Sequence, residues 1–235
     1  MIRIGNFFFH YRNGLFPLFY IILFINGPAA FPDPRLALII GILIAAIGQG
    51  LRAWTVGLDY IVRGGRDRRV YADNLVQGGL FAHCRNPLYV GNYLILVGVG
   101  VASNSLLFLS IALPFFLFAY RAIIAAEEAF LLGKFGEEFT DYCNRVNRVL
   151  PNFSGLGKSL EGMQFNWRRL ISAEYGSAAL WMVAIILVSA KNLWFAGQYD
   201  VQSTPTRSPF VAAAVVAVAY GFARFLKKTG KLETP

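Results

Sequence analysis

Residues 89–126 read YVGNYLILVGVGVASNSLLFLSIALPFFLFAYRAIIAA, and this stretch decides the fold class. Two apolar runs, Tyr89–Ala102 and Leu106–Ala126, flank the polar turn Ser103-Asn104-Ser105. A hydrocarbon core is crossed by roughly 20 helical residues, so the second run is long enough to span it and the first is short. We therefore expect a tight helical hairpin whose short helix is buried among neighbouring helices.

The composition of the whole chain agrees with a membrane protein. Of 235 residues, 56% are hydrophobic, and the mean hydropathy is +0.50. The chain has only two cysteines, Cys84 and Cys143, and two histidines, so we expect neither a disulfide framework nor a metal site. The net charge of +9 comes from basic residues between apolar runs, which favours a membrane surface over nucleic acid as the partner.

Apolar runs predict an all-α, polytopic membrane protein with about six transmembrane helices in a single domain, 1–235. The six predicted spans are Leu15–Phe31, Leu36–Trp54, Tyr89–Ala102, Leu106–Ala126, Ala178–Phe195 and Pro209–Leu226. With both termini in the cytoplasm, 19 of the 22 lysines and arginines fall on the inner side. This asymmetry predicts an even number of spans with cytoplasmic N and C termini.

Residues 1–30 have a second interpretation, a cleaved signal peptide. Arg3 and Arg12 precede an apolar run that ends at Gly27-Pro28-Ala29-Ala30. The long segment before that run contains Phe7-Phe8-Phe9, which favours a membrane span.

Two loops on the predicted cytoplasmic side are large, and we expect any chemistry at that face. Loop 55–88 carries an arginine cluster made of Arg63, Arg66, Arg68, Arg69 and Arg85. In loop 127–177, apolar residues recur at helical spacing, which predicts an in-plane interfacial helix. These residues are Leu160, Met163, Trp167, Leu170, Ile171 and Tyr175. Residues 154–235 would thus add an interfacial helix and two further spans. Across the whole chain, we expect the ionisable groups to gather at one face, with none buried at mid-span.

Paired carboxylates end the fourth predicted span. Glu127 and Glu128 recognise a cationic ligand in one interpretation, and in the other they belong to a solvated helix end where Arg121 pairs with Glu128. Further on, Arg148 precedes Leu150-Pro151, a rigid end that would hold its guanidinium for a carboxylate. A surface helix that ends before Pro151 is the simpler interpretation of that segment.

The segment HCRNPLYVGNYL, residues 83–94, mixes polar groups with the start of the third span. Pro87 disfavours a helical conformation at Asn86 and is itself suited to the first turn of a helix. The free backbone amides of that first turn would attract an anion. An interfacial belt formed by Arg85, Tyr89 and Tyr93 is the alternative. Gly98-Val99-Gly100 lies inside an apolar span, so we expect a close helix contact rather than a nucleotide loop.

Together, LVQGGLFAHCRNPLYVGNYL and EEAFLLGKFGEEFTDYCNRVNRVLP resemble the integral-membrane methyltransferases of the isoprenylcysteine carboxyl methyltransferase and phospholipid methyltransferase superfamily, of the bacterial or archaeal type. The resemblance covers roughly residues 75–153, and we call the two quoted stretches the first and the second motif. It implies a cytoplasmic-face pocket for S-adenosyl-L-methionine, with catalytic work done by Arg148, Glu128 and Arg85. The cofactor-binding residues that it implies are Asn86, Pro87, Tyr89, Gly91, Glu127, Glu128, Tyr142 and Arg148. Asn86 stands where many relatives have histidine.

The resemblance implies methylation of a lipid-like or prenylated acceptor within the bilayer, most like the carboxyl methylation of isoprenylcysteine. Phospholipid or small-lipid N-methylation is the alternative enzymatic function. A small membrane transporter or lipid-binding module is the alternative outside enzymology. The expected partners are therefore membrane lipids and the acceptor, with no nucleic acid and no metal.

Overall fold

The structure is a computed structural model that describes residues 1–58, 69–195 and 204–232, without the side chains of residues 204–206. Arg63, Arg66 and Arg68 of the predicted arginine cluster lie outside the described residues. Within them, every regular element is helical, which confirms the all-α prediction. The helices are α1 (Ile2–Tyr20), α2 (Pro34–Leu58), α3 (Pro87–Ser103), α4 (Leu113–Phe135), α5 (Glu137–Arg145), α6 (Leu156–Leu160), α7 (Trp167–Phe195) and α8 (Thr204–Lys228).

Four helices of the described chain are long and apolar enough to cross a membrane: Pro34–Leu58, Phe108–Phe135, Trp167–Phe195 and Arg207–Lys228. The shorter apolar helix α3 corresponds to the short predicted span. The first predicted span differs most from the structure, because its helix begins at Ile2 and gives way to a 3₁₀ turn at Ile21–Phe24. The predicted span therefore overlaps α1 only at residues 15–20, and α1 is not among the four long apolar helices of the described residues.

Helices α2 and α3 pack closely along their length because glycines face each other across the contact. A methyl group placed on Gly98 would lie 2.5 Å from the backbone nitrogen of Ala45 and 2.5 Å from the carbonyl oxygen of Gly41. At the other end, Gly91 faces Gly48 in the same way. The predicted helix contact at Gly98 is therefore confirmed, and α3 packs mainly against α2 rather than against its hairpin partner α4.

The helical hairpin turns at Ser103-Asn104-Ser105, as the sequence predicts. Asn104 adopts a left-handed conformation, with φ of 54°, and ends α3. Its side chain accepts a hydrogen bond from the Phe31 amide (2.8 Å) and donates one to the Phe31 carbonyl (3.0 Å). Beyond the turn, a π-helical stretch at Phe108–Ala112 leads into α4 next to Pro114, which cannot donate a backbone hydrogen bond.

One end of the bundle, which we call the motif end, holds the last turn of α2, the first turn of α3 and the last turns of α4. The start of α1 and the last turn of α8 lie toward this end, because Gly5 packs on Ala122 and Lys227 donates a hydrogen bond to the Ser172 carbonyl (2.9 Å).

The predicted interfacial helix is wrong as a separate element. Helix α6 ends at Leu160, and α7 then runs without a break from Trp167 to Phe195. The amphipathic pattern arises because this first part of α7 packs on α2, where Arg169 donates hydrogen bonds to the Val56 and Gly57 carbonyls, each at 2.7 Å. A helix that covers a protein surface has the same one-sided pattern as one that lies on a membrane.

An ion pair between Arg52 of α2 and Glu174 of α7 is buried among the helices. The two residues are 4% and 3% exposed. The pair lies within about two turns of the end of α2 and of the start of α7, so it does not contradict the expectation that no charge is buried at mid-span.

Candidate functional site

Glu127 and Glu128 lie on α4, two turns before the helix ends at Phe135. Successive residues of a helix point about 100° apart, so the two carboxylates face different neighbours. Glu127 faces α3, and Glu128 faces the segments around Arg85 and Arg148. The predicted pair is thus two separate polar sites on one helical turn, and Arg121 takes no part in the ion pairs of Glu128 that we describe.

Two arginines share Glu128. The Arg85 side chain donates a hydrogen bond to Glu128 Oε1 at 3.1 Å, and Arg148 binds the carboxylate through both Nε, at 3.0 Å, and Nη2. Arg85 and Glu128 side chains are 13% and 14% exposed, whereas that of Arg148 is 44% exposed. The hydrogen bonds that Arg148 donates to the Glu128 carboxylate raise the pKa of Arg148 above its ordinary value. The structure therefore brings together the three residues for which the resemblance implies a catalytic role.

The segments that carry these arginines are joined directly to each other. Backbone hydrogen bonds run from Arg85 to Asn147 (2.9 Å) and from Asn152 to His83 (3.0 Å). The side-chain amide of Asn86 donates to the Arg148 carbonyl at 2.9 Å. Residues 83–86 thus hold residues 147–152 in place, which fixes the backbone from which the Arg148 side chain extends.

Buried sulfur and imidazole groups reinforce this junction. The Cys84 thiol donates to the Val149 carbonyl at 3.2 Å, and burial raises the pKa of that thiol. The His83 ring contacts the Asn152 carbonyl through Nδ1, while its Nε2 is buried without a hydrogen-bond partner. His83 was not predicted as a site residue, and its position three residues before Asn86 was the only available signal.

Glu127 is held by Tyr89 of α3. The Tyr89 hydroxyl donates a hydrogen bond of 2.7 Å to Glu127 Oε1, and its ring packs against Tyr120 of α4 with ring centroids 5.4 Å apart. The first motif and the glutamate pair are therefore in direct contact through a tyrosine.

Three other predicted cofactor-binding residues are placed differently. Pro87 is fully buried at the start of α3, where the Tyr89 and Val90 amides bind the Asn86 carbonyl, so these two amides are not open to an anion. Gly91 faces α2 and not the carboxylates. Tyr142 is buried beside Phe139 and donates a hydrogen bond of 2.7 Å to the Phe81 carbonyl, and burial raises its pKa above the ordinary range.

A cavity of about 770 Å³ lies on the neighbouring face of the same turn of α4. Phe7 and Tyr11, two of its aromatic residues on α1, are 53% and 54% exposed. The cavity's size is typical of small-molecule sites, and its lining combines apolar rings with a few polar groups. Its lining consists of Ile2, Asn6, Phe7, Phe9, His10, Tyr11, Arg69, Val70, Ala126, Ala129 and Phe130.

The charges around Glu128 indicate what the site can bind. Two guanidinium groups share one carboxylate, so the cluster has an excess of positive charge and would favour a further anion at the partly exposed Arg148. Arg85 Nε is buried without a partner. With the Glu128 carboxylate the cluster holds charges of both signs, which suits a small molecule that carries an ammonium and a carboxylate. Among the described residues, no group of three histidine, cysteine or acidic side chains is arranged to hold a metal ion.

Part of this chain is similar to known proteins. Residues 36–138 match the phospholipid methyltransferase family. Protein-S-isoprenylcysteine O-methyltransferase of Mus musculus is 32% identical over 122 residues, which are 49% of this chain and 42% of that protein. The cobalt-zinc-cadmium resistance protein of Cupriavidus metallidurans is 35% identical over 82 residues, which are 35% of this chain and 38% of that protein.

A nickel-cobalt-cadmium resistance protein of Alcaligenes xylosoxydans is 36% identical over 80 residues, which are 34% of this chain and 37% of that protein. Each alignment therefore spans less than half the length of the relative. No solved structure matches the chain.

Proposed function

We propose, from the match of residues 36–138 to the phospholipid methyltransferase family, that this membrane protein transfers a methyl group from S-adenosylmethionine to a membrane-partitioned acceptor. The single observation that supports this proposal best is the cluster in which Arg85 and Arg148 share Glu128. It joins both motifs at one point and presents charges of both signs.

The cluster fits the amino acid part of S-adenosylmethionine. Its carboxylate would bind Arg148, with Arg85 behind it, and its ammonium would bind Glu128 or Glu127. Tyr89 would line the region next to the sulfonium. The cofactor supplies a methyl group on a positively charged sulfur, so the chain mainly has to align the acceptor with that methyl group and exclude water.

The cavity next to α1 is our proposed site for the acceptor. Apolar rings on its walls would hold a hydrocarbon chain, and Arg69 would attract an anionic headgroup. Among the lining residues there is no aspartate or glutamate to compete for that arginine. Ala126, Ala129 and Phe130 place this cavity beside Glu127 on the same helical turn, so a headgroup could reach the site of methyl transfer. A carboxylate acceptor needs no base, because it is already ionised at neutral pH.

Cofactor binding tests the first part of the proposal. Isothermal titration of the detergent-solubilised protein with S-adenosylhomocysteine should show binding that Glu128→Gln and Arg148→Ala each abolish. Arg145→Ala is the matched control for the arginine, since Arg145 lies on α5 and pairs with Gln77 instead (2.9 Å). Glu138→Gln is the control for the glutamate, because Glu138 also binds Gln77 (2.9 Å). Wild-type affinity in both site variants, or no binding by the wild type, would contradict the proposal.

The chemistry of the product identifies the acceptor class. The protein is incubated with methyl-labelled S-adenosylmethionine and either a farnesylcysteine analogue or a membrane lipid extract. Base-labile label identifies a methyl ester, which we expect, whereas base-stable label identifies an N-methylated lipid. Arg69→Ala should raise the KM for the acceptor without changing cofactor affinity, and Arg3→Ala, on α1 but outside the cavity lining, should change neither. Cofactor binding without any product would favour a lipid-binding module.

A further inference from the structure

The buried ion pair between α2 and α7 is unusually complete. Arg52 binds Glu174 through Nε to Oε2 (2.9 Å) and through Nη2 to Oε1 (2.7 Å), the two-bond geometry that gives the strongest pairs. Gln49 donates a further hydrogen bond to Glu174 Oε2 at 3.0 Å. Trp181 of α7 in turn donates to Gln49 Oε1 at 3.1 Å. The two helices are thus joined by a network of four polar side chains.

The remaining nitrogen of Arg52 connects this network to the first motif. Nη1 donates a hydrogen bond to Asn92 Oδ1 on α3. The stem of Arg52 lies directly over Gly91, where an added methyl group would be 2.6 Å from Arg52 Cγ. Any side chain larger than that of Gly91 would occupy the space that the Arg52 side chain fills between α2 and α3. This explains why a glycine of the first motif faces α2.

Packing alone does not require such a network. A buried ion pair costs desolvation energy, and apolar side chains of similar volume often stabilise a fold equally well. What apolar groups cannot supply is a fixed orientation, because they lack directional bonds. The network fixes the rotation of α3 at Asn92, and Asn92 lies one helical turn beyond Tyr89 on the same side of the helix. Tyr89 must point towards α4 for its hydroxyl to reach Glu127 Oε1 at 2.7 Å.

We propose that Glu174 is a positioning residue for the Tyr89–Glu127 pair and acts through Arg52 and Asn92. It follows that α7, which lies outside the family match at residues 36–138, is part of the active unit. This inference rests on the proposed methyltransferase function. The role of Glu174 is indirect: it holds the start of α3 in the rotation that brings the tyrosine hydroxyl to the carboxylate.

A double-mutant cycle tests this role. Glu174→Gln removes the charge with little change in volume, and we expect it to lower kcat by about tenfold, as small misalignments do. In a Tyr89→Phe background the same substitution should cause no further loss, because the hydroxyl that Glu174 positions is already absent. Additive losses in kcat, or wild-type kcat in the folded Glu174→Gln protein, would overturn the proposal. Asn92→Ala provides the same cycle with a milder change if Glu174→Gln does not fold.

Matched controls separate positioning from general anchoring of α7. Arg169→Ala removes contacts of α7 with α2 carbonyls, and Asn192→Ala removes the contact of Asn192 with the Ser103 carbonyl (3.3 Å) at the far end of α3. Both should reduce stability, and their effects on kcat should stay additive with Tyr89→Phe. If either control instead matched the non-additive behaviour of Glu174→Gln, the specific role of Glu174 would be excluded.

A spectroscopic measurement provides a result that does not depend on turnover. The ¹³Cζ resonance of Tyr89, assigned by its loss in Tyr89→Phe, reports the hydrogen bond to Glu127. We expect Glu174→Gln and Asn92→Ala to shift it, and Arg169→Ala to leave it unchanged. A wild type that neither turns over nor binds S-adenosylhomocysteine would contradict the proposed function. An unshifted Tyr89 resonance in Glu174→Gln would contradict the inference alone.

Discussion

Gly98→Ala tests the closest helix contact of the fold. The added methyl group would lie 2.5 Å from Ala45 N, 2.5 Å from Gly41 O and 2.8 Å from Ala45 Cβ, where ordinary contacts are 3.4–4 Å. Two of these three atoms belong to the backbone, so α2 and α3 must separate by about 1 Å, and overpacking of this kind costs about 1–3 kcal/mol. Alanine also favours a helix over glycine by roughly 1 kcal/mol, which offsets part of that cost.

Gly50→Ala is the matched control on α2, because no atom lies within 4 Å of its added methyl group. Both substitutions gain the same helix propensity, so the difference between them isolates the steric cost. We expect Gly98→Ala to unfold at a lower denaturant concentration than Gly50→Ala in mixed micelles titrated with sodium dodecyl sulfate. The difference in the free energy of unfolding should be about 1–3 kcal/mol. Equal stabilities of the two variants would refute the described packing of α2 on α3.

Three further predictions concern the turn, the motif junction and the thiols. Asn104→Ala should lower the free energy of unfolding by about 1–3 kcal/mol, because it loses two hydrogen bonds to Phe31 and keeps a left-handed backbone; a stable variant in the same micelle titration would contradict this. Tyr142→Phe should cost about 1–2 kcal/mol, since it leaves the Phe81 carbonyl without its partner, and thermal unfolding measures this loss. Burial raises the pKa of the partly exposed Cys143 thiol, so its thiolate fraction is small at neutral pH and its labelling by maleimide should rise steeply with pH, while the buried Cys84 stays unlabelled in the folded protein.

Local chemistry made much of the fold predictable from the sequence. Apolar runs located the helices, Asn104 marked the turn, and Gly98 marked a close contact. Pairing across distant positions was not predictable in the same way. Arg52 and Glu174 are 122 positions apart, and no local pattern shows that two charged residues neutralise each other in the folded protein. The first part of α7 was misinterpreted because its apolar stripe fits a membrane surface as well as it fits α2.

In the candidate site, too, local features were predictable from the sequence and contacts between distant residues were not. The sequence marked the glutamates and arginines as candidates and the family resemblance assigned them to one site, but residues 85, 128 and 148 come together only through the fold. Helical periodicity does predict that adjacent glutamates face different neighbours, and the structure adds which neighbours they face. Gly91 was expected at the cofactor, but the structure explains the glycine differently, because the aliphatic part of the Arg52 side chain packs directly against it.

Asn86 stands where the family resemblance leads us to expect histidine, and its hydrogen bond explains how either residue can serve. The structure requires a donor at this position, because Asn86 donates to the Arg148 carbonyl at 2.9 Å. A histidine ring N–H can donate in the same way, whereas the carboxylate of an aspartate only accepts hydrogen bonds. Asn86→His should therefore keep the affinity for S-adenosylhomocysteine, and Asn86→Asp should lower it by about tenfold, which corresponds to the loss of one hydrogen bond worth about 1.4 kcal/mol. Isothermal titration of both variants measures this difference. Equal affinities in the two variants would show that donation to the Arg148 backbone does not position this arginine.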